Sequence, residues 1–212
     1  KYRKTASMGA NWGYYVGMDE ISGYYVVEHT ARQQAELDKK CAENPALRNI
    51  RDNFGYGDLI ATHASTPCVV LAGDGKTAKG VWYSMAVEAT GSSDGSCKAL
   101  WHPERICADF VKEDSGEWKI WHLFVGTDFA TPAGQDLKGD TPLEIERKVA
   151  AGEMEKPVHP MAQCDDPAFI PMEAYSLKYN YSFYPPLPEP YYSFDECVSN
   201  GPEGNPNYKK EG

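Results

Sequence analysis

Hydrophobic and polar positions alternate over long runs between Gly80 and Phe129. The stretch ICADFVKEDSGEWKIWHLFVGTDF, Ile106 to Phe129, sets two aromatic-rich runs on either side of a polar Glu113-Asp114-Ser115-Gly116 turn. A period of two predicts strands, and the turn joins them into a long antiparallel hairpin. Asp109 lies between Ala108 and Phe110 in one of these strands. A carboxylate in such a run must be solvated, paired or put to use.

Before this hairpin, Met18 to about Glu43 places Ile21, Tyr24, Tyr25, Glu28 and Ala31 at helical spacing, with Asp19 able to cap the start and Asn44-Pro45 ending the helix. A second helical turn is expected over Ala46 to Asn53, while Lys1 to Gly17 reads as a short strand or covering loop. Asp74-Gly75 is a hairpin signal between a strand containing Leu59, Ile60, Val69, Val70 and Leu71 and one over Thr77 to Thr90. Thr66-Pro67 is expected to interrupt the first of these, because proline cannot donate to the ladder. Cys97 to Val111, with a bulge expected at His102-Pro103, and Lys119 to Asp128 supply the third and fourth long strands. Helices followed by antiparallel strands make an α+β fold.

Beyond Phe129 the pattern changes. Thr141-Pro142-Leu143-Glu144 has capping-box spacing and predicts a helix to about Ala151. Recurrent prolines then exclude regular structure, yet LKYNYSFYPPLPEPYYSF, Leu177 to Phe194, is too aromatic for a disordered chain. It is expected to lie as an extended Pro/Tyr-rich strap on the domain or on a neighbouring subunit. The organisation read is a domain over residues 1–130, with residues 131–212 a C-terminal helix and strap that form no independent domain.

Strand parity assigns faces if lysines point outward. Lys119, Lys112 and Lys79 then place Trp118, Ile120, His122 and Phe124, with Cys107, Asp109 and Val111, and Ala78, Gly80, Trp82 and Ser84, on one inner face. The outer face is left with Trp121, Leu123 and Val125, an apolar stripe that predicts a homo-oligomer, dimer or trimer.

Composition narrows the partners. The chain has 212 residues, 42% hydrophobic, with net charge -10. That charge argues against nucleic acid and an anionic membrane surface as partners. No apolar run approaches the roughly 20 residues that cross a bilayer, and a cytoplasmic location is expected. Six cysteines without a CxxC pair read as reduced thiols, and the five histidines show no ligand spacing, so neither metal nor other cofactor is expected.

A helix followed by IATHASTPCVVLAGDGKTAKGVWYS and then ICADFVKEDSGEWKIWHL resembles the NTF2-like superfamily, in particular its SnoaL-like branch of polyketide cyclases, scytalone dehydratase and bile-acid 7α-dehydratases. The resemblance spans roughly Trp12 to Phe129 and implies a cone: a curved four-to-six-stranded antiparallel sheet wrapped around helices, with a deep apolar pocket. It also implies a long N-terminal helix that this sequence is expected to lack. By motif position it makes His63 and Asp109 the catalytic pair. The implied activity is that of a cofactor-independent lyase or isomerase acting on a cyclic apolar small molecule, with His63 as general base and Asp109 as its partner.

Trp12, Tyr14, Tyr15, Trp82, Tyr83 and His122 are expected to contact the substrate, the tyrosines as oxyanion donors. Read without the resemblance, His63 serves equally as a structural histidine beside Thr62 or Thr66, and Asp109 as a carboxylate held by a backbone amide or Arg105. Two other functions remain: a non-catalytic small-molecule-binding or assembly protein, and the small subunit of a ring-hydroxylating dioxygenase.

Overall fold

Alternation in the sequence becomes a mixed, eight-stranded sheet in the computed structural model, which describes residues 2–11, 13–49, 55, 57–92, 94–135, 147–153 and 186–204. The strands are β1 (Tyr2–Ala10), β2 (Gly13–Val16), β3 (Leu59–Ala61), β4 (Ala64–Leu71), β5 (Thr77–Gly91), β6 (Cys97–Lys112), β7 (Trp118–Thr127) and β8 (Thr131–Pro132). Their order is β2-β1-β7-β6-β5-β3, with β4 also on β5 and β8 also on β6. The sheet is not purely antiparallel, because β1 runs parallel to β7. Parallel neighbours need a long connection between them, and residues 11–117 provide it.

The helical prediction holds as α1 (Met18–Ser22), a wide π-helical stretch (Gly23–Glu28) and α2 (His29–Glu43). Asp19 does not cap it. Gly17, at φ 88, is the capping residue, and Glu20 reaches back to accept the Val16 amide at 2.6 Å. The next turn is a 3-10 helix over Pro45–Asn49. Asp74-Gly75 forms the expected turn, with Gly75 at φ 69 and the Asp74 carboxylate accepting the Lys76 amide at 2.9 Å. Thr66-Pro67 does break the ladder, since the β4–β5 register shifts between Ser65 and Cys68. His102-Pro103 does not, because β5–β6 pairing continues unshifted through Met85–Pro103 and Ala86–His102.

Directly paired residues share a face. One face therefore carries Lys79, Val81 and Tyr83 of β5, Asp109, Cys107 and Arg105 of β6, His122 and Phe124 of β7, Ser7 and Gly9 of β1, and Tyr14 of β2. The other carries Gly80, Trp82, Ala108, Leu123, Met8 and Tyr15. The helical segment packs on this second face: Ile21 and Tyr24 are buried with Ala6, Met8 and Tyr15, and Leu123 leans against them.

One expectation fails here. The stripe of Trp121, Leu123 and Val125 is half-buried rather than exposed. The β6–β7 register pairs Asp109 with His122 and Phe110 with Ile120, so Trp121 is bulged out of the ladder, and Phe194 covers its ring at 4.7 Å. Leu123 belongs to the helix-side core. Of the predicted 141–151 helix, residues 147–150 are helical and 141–146 lie outside the described residues, as do Trp12 and residues 177–185 of the aromatic tail.

Candidate functional site

The described part of the tail, residues 186–204, lies across the Asp109 face. Its backbone is tied to the β4–β5 turn, where the Gly73 and Asp74 amides donate to the Tyr191 and Tyr192 carbonyls at 2.9 and 3.0 Å. The Tyr191 hydroxyl is 3.2 Å from that of Thr77 at the start of β5. Between tail and sheet is a cavity of about 440 Å³. Its floor is Tyr14, Lys79 and Phe124, and its roof includes Leu187, Tyr191, Cys197, Val198, Ser199 and Asn200.

Gly9 lets that floor form. It pairs with Tyr14 on one side and Phe124 on the other, and a Cβ there would stand 2.8 Å from the Tyr14 ring and 3.2 Å from that of Phe124. Only a residue without a side chain allows both rings to close over the strand.

Asp109 is fully buried, and the groups around it are hydrogen-bond donors. Lys79 ion-pairs with Oδ1, the Asn200 side chain donates to Oδ1 at 2.7 Å, and the Asn200 amide donates to Oδ2 at 2.7 Å. Lys79 also donates to the Val198 carbonyl at 2.7 Å. Lysine leaves water only where a partner replaces its hydration. The assumption that Lys79 points outward was therefore wrong: Lys79 is 8% exposed and shares the face of its register partner Asp109.

His122, the other register neighbour of Asp109, is 3% exposed. Its Nδ1 lies 3.3 Å from Ser199 Oγ, and its Nε2 lies 3.3 Å from Glu203 Oε1 without hydrogen-bond geometry. Gly201 rests directly on the ring. Burial lowers the pKa of His122, and it outweighs the opposing pull of Asp109 and Glu203, so the neutral imidazole is favoured. Cys107, behind the cluster, is inert as a nucleophile because burial pushes its thiol up to about 12.

The structure does not bring His63 to Asp109. His63 is exposed, and its amide donates to Ser84 Oγ at 3.2 Å. Its neighbour Ala64 pairs with Ser84, whereas Asp109 pairs with Lys79, and the offset of five positions along β5 spans roughly 17 Å of strand. Trp82 faces away from Asp109, pairing with Ile106 and packing edge-on against Phe110 with ring centroids 6.2 Å apart. Tyr15 is core on the helix side. Tyr83 shares the Asp109 face but pairs with Arg105, far down the strand from the cavity. Arg105 does not hold Asp109; its Nη2 donates to Asp128 at 2.7 Å. Asp109 and His122 are register partners on the face that also carries Tyr14, and of the three it is Tyr14 that lines the cavity.

Sequence reasoning missed Lys79 and the Ser199-Asn200-Gly201 and Glu203 contacts. The only local signal was the aromatic content of the preceding tail. The pocket also differs in place from the expected one: it lies under the tail, on the face opposite the helical segment.

No family profile and no curated protein matches the sequence. Among solved structures, the chain is similar to a hexachlorocyclohexane dehydrochlorinase LinA-type3 from Novosphingobium barchaimii, at 12% identity and TM-score 0.36, over 66% of this chain and 77% of that one. It is similar to a ketosteroid isomerase-like protein from Erwinia carotovora atroseptica at 10% identity and TM-score 0.35, over 59% and 75% of the two chains. A third is an NTF2-like protein with a cystatin-like fold from Novosphingobium aromaticivorans, at 11% identity and TM-score 0.34, over 59% and 64%.

Proposed function

We propose that the protein is a cofactor-independent lyase or isomerase that transfers protons on a compact, largely apolar molecule held between sheet and tail. The observation that carries the proposal is the cavity of about 440 Å³ with aromatic and aliphatic walls and a buried charge cluster at one end. Such a volume is in the range of small-molecule sites. Lys79 and the Tyr14 phenol stand on its floor, where they stabilise negative charge developing on a substrate oxygen. His122 is the proton-handling group, reached through Ser199 in the cavity wall. Proton transfer of this kind contributes about 10² to 10⁴-fold in rate.

One observation favours a second reading, a binder without turnover. Asp109 is held by Lys79 and both Asn200 donors and is not among the residues that line the cavity, so in this closed arrangement it faces the protein rather than a bound molecule. The test is incubation of the protein in deuterium oxide with a panel of cyclic ketones and hydroxylated polycyclic compounds, read by mass spectrometry. Deuterium incorporation or loss of water that disappears in His122→Gln supports the enzyme. A compound that binds and is recovered unlabelled after long incubation supports the binder.

A further inference from the structure

The contacts of one hydroxyl decide how His122 carries its proton. Ser199 Oγ lies 2.6 Å from Glu203 Oε1, accepts the Gly201 amide at 2.9 Å, and lies 3.3 Å from His122 Nδ1. A serine hydroxyl has one proton to donate and two lone pairs that accept. An ionised carboxylate only accepts, so the short contact with Glu203 needs the Ser199 proton. The two lone pairs are then filled by the Gly201 amide and by a proton on Nδ1. In the reverse arrangement, with Ser199 donating to His122, two oxygens would face each other at 2.6 Å with no proton between them. A fourth neighbour, Asp109 Oδ2 at 3.5 Å, already accepts the Asn200 amide at 2.7 Å and makes the weaker claim.

We propose that Ser199 is a positioning residue that fixes neutral His122 in its Nδ1-protonated tautomer, so that the ring presents an N–H to the cavity wall and its basic nitrogen, Nε2, to Glu203. The inference rests on the reading of His122 as the proton-handling group: with Nδ1 bonded to Ser199, the nitrogen left to take up a proton is Nε2, beside a carboxylate whose side chain is 56% exposed to solvent. Gly201 keeps the ring in place, because its α-carbon packs directly on Nδ1 and Cε1. Phe194, Trp121 and Gly201 together hold the ring plane against rotation.

The test is nitrogen-15 NMR of protein labelled at histidine, recorded where His122 is neutral. The wild type is expected to show a proton-bearing Nδ1 and a bare Nε2. Ser199→Ala should lose the Nδ1–H signature, and Ser199→Thr, which keeps the hydroxyl, should restore it. Glu203→Ala guards against a folding defect, since it removes only an exposed carboxylate; it frees the Ser199 proton for Nδ1 and should move the ring to the Nε2–H form. An Nε2–H ring in the wild type, or an unchanged tautomer in both alanine variants, overturns the proposal. The spectrum needs no substrate, so its outcome stands apart from any turnover result.

Discussion

Lys79 and Asp109 face each other as register partners across β5 and β6 and form an ion pair that the tail seals from water. Two Asn200 donors and the Val198 carbonyl complete the hydration that the pair gave up. A buried pair adds little net stability over an apolar pair of the same shape, but loss of one member leaves the other stranded.

Lys79→Met is therefore expected to cost about 3–5 kcal/mol, toward the lower end because the Asn200 donors remain. Urea unfolding checks this. A loss in the range of an exposed pair, about 0–1 kcal/mol, would show that the tail does not seal the pair in solution.

Gly201→Ala should loosen the tail while leaving the sheet intact. The new methyl would overlap His122 Nδ1 and stand 2.8 Å from the Glu203 carboxylate, and the helix-side core is on the opposite face. Overpacking of this kind costs about 1–3 kcal/mol, which predicts roughly tenfold or faster exchange at the Asn200 amide. Exchange at the wild-type rate would contradict the contact.

Two buried histidines should respond to pH with opposite signs. A hydrogen bond to Glu104 raises the pKa of His102, with Glu88 adding to the effect against the pull of burial. The folded state then binds the proton more tightly than the unfolded one. The stability His102 contributes is present below its ordinary value of 6.5 and is lost as pH rises through the raised value. Burial lowers the pKa of His122, so its neutral form is favoured by folding. Its contribution is present above 6.5 and is lost as pH falls through the lowered value. Unfolding midpoints of His102→Gln and His122→Gln, each followed against the wild type over mildly acidic to mildly alkaline pH, check both signs. The wild-type advantage should grow toward acid for the first and shrink for the second.

The elements were legible because their causes are local. Asp74-Gly75 made its turn through the left-handed freedom of Gly75 and the Asp74 side chain. The long strands β5, β6 and β7 followed from alternation. The site was only half legible. Asp109 stood out because its neighbours Ala108 and Phe110 are apolar, and His122 shares its face through the β6–β7 register, but strand parity was anchored on the outward lysine. That assumption exchanged Lys79 for Trp82. His63 failed for a different reason: its motif position says nothing about how far along β5 its strand pairs, and that register is set from the next turn, Asp74-Gly75, across the break at Thr66.

By itself the sequence determined that Asp109 lies in a strand whose neighbours are apolar, since a two-residue period and hydrophobicity belong to the strand alone. Only the tertiary structure decided what meets that carboxylate. Lys79 arrives through β5–β6 register, His122 through β6–β7 register, and Ser199, Asn200 and Glu203 through a tail that closes from ninety residues away in the case of Ser199. A buried charge is stable only with partners that replace its water. The sequence shows that need, and the fold chooses which residues meet it.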